Sequence, residues 1–206
     1  MKYIIMCGGE YKMFKTPKQL SIVKGERLVD RTIRLLKENN IKEIYISSNN
    51  PLFDTCGVPR LEHNNTFIYE KNELKGYWLD AFYPIGEPVC YLFGDVYFSE
   101  KAIKTIVEYE SEQNILFGNS MAKNEEHKNW GEPFAYKVNK YEEFMNGIKA
   151  VKKLQDEGKT ERMPIVWELY RYLHNLDINI QMITTDYVCI DDETIDIDNP
   201  EQVNEL

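Results

Sequence analysis

Three stretches of the sequence bring together residue types that handle phosphate. The first, CGGEYKMFKTPKQL from Cys7 to Leu20, has Gly8 and Gly9, which let a backbone come close to a ligand, and three cations within seven residues, Lys12, Lys15 and Lys18. Such a loop can cradle phosphates, with a solvated basic loop as the alternative. The second is LFGDVYF, in which Asp95 follows an apolar run and Gly94, so its carboxylate is expected to emerge where a buried strand ends. The third, IDDETIDIDNPEQV, interleaves Asp191, Asp192, Asp196 and Asp198 with Ile195 and Ile197, and alternation on a strand sets Asp196 and Asp198 on one face. Alone it reads as a charged loop before it reads as a metal site. Together the segments describe lysines for a triphosphate and two carboxylates from separate strand ends for Mg2+, an ion that takes hard oxygen ligands shared between protein and phosphate.

These segments need a scaffold that delivers them to one place. Residues 3–7 form a short apolar run stopped by Gly8 and Gly9, the pattern of a buried strand ending in a turn. Leu28, Val29, Ile33, Leu35 and Leu36 recur at helical spacing up to Asn39 and Asn40. Strands are then expected over 41–47, 66–69, 89–93 and 115–117, with a short helix over 76–83 and a helix capped by Ser99. Alternating strands and helices favour a doubly wound, mostly parallel α/β sheet with right-handed crossovers, and ligands of such sheets bind beyond the carboxyl ends of the strands. The later part is less regular: a polar loop over 123–132, a strand over 134–138, helices over 141–157 and 165–176, strands over 178–184 and 187–190, and a last helix from Pro200. No linker or repeat divides residues 1–206, so one domain is expected, with a nucleotide-binding half over 1–120 and an acceptor-binding, metal-completing half over 121–206.

Composition narrows the function. A chain of 206 residues with 43% hydrophobic and 29% charged residues can bury a full core. A net charge of −9 provides no general field for nucleic acid or an anionic membrane, so an anionic substrate requires a local basic site or a divalent cation. Cys7, Cys56, Cys90 and Cys189 lack metal-ligand or disulfide spacing and read as core thiols. His63, His127 and His174 are scattered. The opening MKYIIMCGG is too short for a signal peptide, and the expected location is the cytoplasm.

The segment CGGEYKMFKTPKQLSIVKGERLVDRTI resembles the N-terminal signature of the nucleotidyltransferases that make nucleotide sugars, CDP-alcohols and related activated metabolites. Lys12-Met13 stands at that family's Arg-Met or Arg-Leu pair, Pro17-Lys18 matches its Pro-Lys, and Glu10 replaces its second loop glycine. LFGDVYF resembles the strand whose aspartate binds the metal, and DIDNPEQV resembles the Asp-x-Asp-Thr-Pro-Glu-Asp ending of cytidylyltransferases and CMP-sugar synthetases. The resemblance implies the nucleotide-diphospho-sugar transferase fold, Lys12 and Lys18 as catalytic cations, and Asp95 and Asp198 as ligands of Mg2+, with Asp196 as the neighbour or substitute of Asp198. It further implies a nucleotide site of Cys7, Gly8, Gly9, Lys12, Lys18, Asn49, Lys75, Gly76 and Asp95, with turn chemistry as the alternative for Asn49, Lys75 and Gly76.

The substrates implied are a nucleoside triphosphate, CTP or UTP, and a phosphorylated sugar, polyol or amino alcohol, with pyrophosphate released and the product serving surface polysaccharide or a similar end. Trp130, Glu132 and Tyr136 are expected to form the acceptor wall, with Lys123, Lys128 and Lys137 as the basic residues near it. Trp78, Trp130 and Trp167 suggest an aromatic cage for a quaternary ammonium, with core packing as the alternative. A homodimer is compatible with the sequence. Two rival classes are a glycosyltransferase, for which Asp95-Val96-Tyr97 lacks the second metal-binding aspartate, and a non-catalytic nucleotide-binding protein. If the motif alignment is right, Lys18→Ala impairs both triphosphate affinity and turnover while Lys15→Ala has a much smaller effect. Equal losses in steady-state kinetics of the two variants would mean that the loop acts through bulk charge.

Overall fold

The computed structural model describes residues 1–9, 13–64, 68–70, 73–119 and 131–206. From the amino terminus, β1 (Lys2–Met6) leads through the lysine-containing loop to a hairpin of β2 (Ile22–Val23) and β3 (Glu26–Arg27), then to helix α1 (Leu28–Glu38). Next come β4 (Ile44–Ser47), β5 (Arg60–Leu61), a hairpin of β6 (Ile68–Glu70) and β7 (Glu73–Lys75), then β8 (Val89–Phe93), β9 (Val96–Tyr97) and helix α2 (Glu100–Glu108). The second half adds β10 (Ile115–Gly118), β11 (Pro133–Val138), α3 (Tyr141–Asp156), α4 (Val166–Leu173), β12 (Tyr187–Cys189), β13 (Ile195–Asp196) and α5 (Pro200–Glu205).

Seven strands form one sheet in the order β12-β10-β11-β8-β1-β4-β5. Its parallel pairs are β1 with β4 and β8, β4 with β5, and β10 with β12, while β11 runs antiparallel to both neighbours. The expected doubly wound α/β class is therefore present. Strands β1 and β8 are buried almost throughout, as expected of central parallel strands covered on both faces. Two expected strands are not in this sheet. The stretch read over 66–69 contributes Ile68–Glu70 to a separate hairpin, and β5 takes the sheet edge instead. Residues 178–184 form no strand: Ile180 and Met182 are exposed, and side chains hold the backbone, Arg171 Nη1 donating to the Ile178 carbonyl at 2.6 Å and Tyr170 Oη accepting from the Thr184 N–H at 3.1 Å.

Alternation along β11 separates the two helical layers. The ring of Tyr136 packs on Phe144 of α3 at 5.0 Å, and the next residue, Lys137, sends its ammonium to the carbonyls of Ile106, Val107 and Tyr109 at the end of α2. Lys137 thus satisfies acceptors that the last helical turn leaves open and sets a cation at the negative end of the helix. Burial pushes its ammonium below its ordinary pKa. This corrects the expectation that Lys137 serves an acceptor phosphate. The four cysteines are all reduced, and three are buried as expected, but Cys189 is exposed and lies 3.2 Å from Asp191. No helix among the described residues is long and apolar enough to cross a membrane. Lys137→Met keeps the stem and orphans the buried carbonyls, so it is expected to destabilise the fold by about 2 kcal/mol, seen in urea unfolding as a lower midpoint at unchanged slope.

Candidate active site at the carboxyl edge of the sheet

Register brings three turns to one edge. Met6, the last residue of β1, lies opposite Ser47 on β4 and Phe93 on β8. The residues that follow them, Cys7-Gly8-Gly9, Ser48-Asn49 and Gly94-Asp95, therefore emerge side by side beyond the strand ends, where open parallel sheets bind ligands. Gly9 has φ 104°, a backbone conformation that favours glycine. Cys7 is buried, its N–H donates to the Ser47 carbonyl at 2.9 Å, and burial followed by the nearby Asp95 carboxylate pushes its thiol pKa well up. It stays a neutral core side chain. Gly94 is required by space: a Cβ there would lie 2.5 Å from the Met6 carbonyl oxygen, 2.8 Å from Cys7 Sγ and 3.2 Å from Gln19 Cγ.

Lys18 is the centre of the site. It is only 1% exposed, and its Nζ donates to the Ile197 carbonyl at 2.9 Å, pairs with Asp95 Oδ2 at 2.7 Å and lies 3.8 Å from Asp196 Oδ1. Short β9 and β13 make this possible. They pair Asp196 with Val96, and the Ile197 N–H donates to the Asp95 carbonyl at 3.0 Å, so the C-terminal segment is stitched to the turn after β8. A small core of Val23, Leu28, Tyr97 and Ile197 lies beneath, with Phe14, Ile195, Val203 and Leu206 packed on it.

The carboxylates divide by neighbourhood. Asp196 is a quarter exposed, but its Oδ1 is buried without a hydrogen-bond partner among the described residues. Burial first, then the neighbouring Asp95 carboxylate, push its pKa well above the usual range, with Lys18 countering. Asp198 is exposed, and its N–H, like that of Asn199, donates to Gln202 Oε1. Asn199 Oδ1 in turn accepts from Glu201 and Gln202, so Asn199-Pro200-Glu201-Gln202 is also the capping box that starts α5. Asp192 serves the fold: Ser99 Oγ and the Thr194 N–H donate to it, outweighing its burial and holding its pKa below the ordinary value. Asp196, which the sequence offered only as a neighbour or substitute, is the member of the C-terminal set that meets Lys18.

Among the described residues no cluster of three or more His, Cys, Asp or Glu side chains is placed to hold a metal ion. Two hard carboxylates, Asp95 and Asp196 with its orphaned buried oxygen, fit a magnesium ion that takes its remaining ligands from water and substrate phosphate.

The other expected residues scatter. Asn49 is exposed beyond β4, and its neighbours Ser48 and Asn50 make turn bonds. Lys75 is exposed at the end of β7, and the Gly76 carbonyl accepts from Gln155 of α3 at 2.9 Å. Glu132 lies beside the carboxylates, its Oε2 accepting from the Asp196 N–H at 3.3 Å and from Asn119 Nδ2 at 3.2 Å. Tyr136 is fully buried, because its strand position faces α3, and so it is core rather than wall. Trp78 packs edge-on against Phe82 and Phe93, and Trp167 edge-on against Tyr170 and stacked on Tyr187, so neither belongs to a cage. Lys12, Trp130, Lys123 and Lys128 lie outside the described residues. Gln19 was not anticipated; it is buried beside Gly94 with Oε1 unpaired among the described residues, and its place after Lys18 in the Pro-Lys-x-Leu run was its only signal in the sequence.

No family model matches this sequence, and no curated protein matches it. Solved structures do. A protein from Bacillus anthracis described as a glucose-1-phosphate thymidylyltransferase superimposes with a TM-score of 0.59 at 15% identity, over 99% of this chain and 94% of that one. A CTP:phosphocholine cytidylyltransferase from Streptococcus pneumoniae gives a TM-score of 0.54 at 14% identity, over 99% and 96%. The fold is that of the nucleotidyltransferases. The site predicts one steric result: Gly94→Ala forces the ends of β1 and β8 apart and is expected to cost about 2 kcal/mol, read as a lowered thermal midpoint. An unchanged midpoint would mean that this junction yields freely.

Proposed function

We propose that this protein transfers a nucleoside monophosphate, CMP or UMP, from the triphosphate to a phosphorylated sugar, polyol or amino alcohol. The observation that carries the reading is the convergence of Lys18, Asp95 and Asp196 at the carboxyl edge of a nucleotidyltransferase-type sheet. In the reaction, a phosphate oxygen of the acceptor attacks the α-phosphorus in line, the bond to the β-phosphate bridging oxygen breaks, and pyrophosphate leaves with that electron pair. An ionised phosphate needs no base, so the work of the site is alignment and charge neutralisation.

Each element has a part in this. Gly8 and Gly9 give the triphosphate access to backbone, and Lys18, with Lys12, offsets its charge. Asp95, with Asp196 or Asp198, would hold Mg2+, which when bound supplies Lewis-acid neutralisation of the reacting phosphates. The turn at Asn49 and the segment from Lys75 and Gly76 flank the nucleoside side, and Glu132 the acceptor side. The two solved relatives are described as acting with thymidylyl and cytidylyl groups, and this supports the class of reaction without choosing the base.

The test is a pyrophosphate-release screen of the four nucleoside triphosphates against sugar, polyol and amino-alcohol phosphates with Mg2+. Turnover with CTP or UTP is expected, and Asp95→Asn should lower it by several orders of magnitude, about what loss of a metal term of several kcal/mol implies, with circular dichroism unchanged. Full activity in EDTA, or none with any pair, would overturn the assignment.

A further inference from the structure

Lys18 has two claims on it. As a phosphate ligand it must face substrate, yet in this fold its ammonium is the counter-ion of Asp95 and Asp196, 2.7 Å and 3.8 Å away, and is anchored by the Ile197 carbonyl at 2.9 Å. A divalent cation ligated by the same carboxylates would have to be accommodated at the gap where Nζ already meets Asp95 Oδ2 and approaches Asp196 Oδ1. Two cations cannot share that gap without strong repulsion, because little water is there to screen them. The surroundings otherwise favour cations: Glu132 reaches the Asp196 N–H, and Asp198 follows two residues on.

We propose that Lys18 and the divalent cation exclude one another from the Asp95–Asp196 pair, so that the cation binds there only as Lys18 leaves the carboxylates, a move that a substrate phosphate favours by receiving the ammonium. The proposal rests on reading these carboxylates as metal ligands. Lysine suits such a role because its ammonium is a point charge on a flexible four-carbon stem, able to exchange one anion for another without the fixed fork of arginine. In the segment before it Met13, Lys15 and Thr16 are exposed, and Phe14 alone of residues 13–16 packs on the small core. Cation and polyphosphate then bind synergistically: each makes room or a destination for what the other displaces, and the coupling is reciprocal. For an acidic protein this is also a safeguard, since the carboxylates are never left bare.

The experiment measures Mn2+ binding by electron paramagnetic resonance on the nucleotide-free full chain. Lys18→Met is expected to bind Mn2+ at least tenfold more tightly than the wild type, and Asp95→Asn in either background to lose it. Equal or weaker binding by Lys18→Met overturns the exclusion while leaving the metal reading intact. Absence of binding in both proteins, with and without a non-hydrolysable CTP analogue, overturns the metal reading and the exclusion with it. Because Lys18→Met leaves two carboxylates uncompensated and can compromise folding, the wild type provides a second readout. Reductive methylation followed by mass spectrometry should find Lys18 protected without divalent cation and several-fold more reactive with saturating Mn2+, while Lys137, held by α2, stays protected in both. Protection of Lys18 unchanged by bound Mn2+ overturns the proposal.

Discussion

A single buried ammonium joins the parts of this molecule that lie farthest apart in sequence. Lys18 comes from the loop after β1, Asp95 from the turn after β8, and Asp196 and Ile197 from the C-terminal strand, the carbonyl contact spanning 179 positions. Burying a lysine at 1% exposure is costly unless its charge is met and its donors are satisfied. Here one carboxylate, a second at longer range and a carbonyl do so. The stitch of β13 to β9 exists to bring the last two partners into reach, and the small core around Tyr97 and Ile197 holds that stitch in place. The converse also holds: with the lysine gone, Asp95 and Asp196 would lack a counter-charge among the described residues, so the same contact that fixes geometry steadies an acid-rich corner.

The sheet supplies the other constraint. Parallel strands in strict register end together, and this is why Cys7, Ser48 and Gly94 share an edge. The edge is tight enough that only a glycine fits where β8 turns past Met6 and Cys7. Further along, β11 reverses direction between β8 and β10, and its alternating side chains fasten one helix to each face, Phe144 against Tyr136 and the end of α2 on Lys137. A site made from strand ends inherits its rigidity from such contacts.

The sequence was legible where a local pattern has one physical outcome. The apolar run of β1, the spacing of Leu28, Val29, Ile33, Leu35 and Leu36, and the Ser99 cap, whose Oγ accepts from Ala102 at 2.9 Å, all formed as expected. It misled where the outcome depends on partners far away. Alternation over 178–184 looks like a strand, but Arg171 takes the Ile178 carbonyl and Tyr170 Oη accepts from the Thr184 N–H, so side chains occupy groups that a strand would pair. The lysine at 137 has the composition of a phosphate ligand, and only the arrival of α2 turns it into a cap. In the acidic ending, alternation set Asp196 and Asp198 on one face, but the strand stops at Asp196 and alternation carries no information on depth. Pairing with β9 and the capping box at Asn199 send one carboxylate toward Lys18 and leave the other at the surface.

The same reasoning explains why the proposed base and acceptor sides were harder to read than the proposed phosphate side. Phosphate handling depends on glycines, lysines and aspartates at strand ends, residue types that leave a mark in any sequence. The segment 76–81, by contrast, is shaped from outside by α3: Gln155 donates to the Gly76 carbonyl, Tyr77 donates to Asp156 at 2.5 Å, and Lys152 pairs with Asp80 at 2.5 Å while lying 4.2 Å from the centre of the Tyr77 ring. Those contacts reach across some seventy to eighty residues and join polar side chains that look like ordinary surface in a helical pattern. Because α3 also carries Phe144, whose ring meets Tyr136 and Tyr91, the helix links the proposed nucleoside side to the strands of the central sheet. The conformation of segment 76–81 is therefore held by a helix of the second half, a relation that becomes visible only when both are folded.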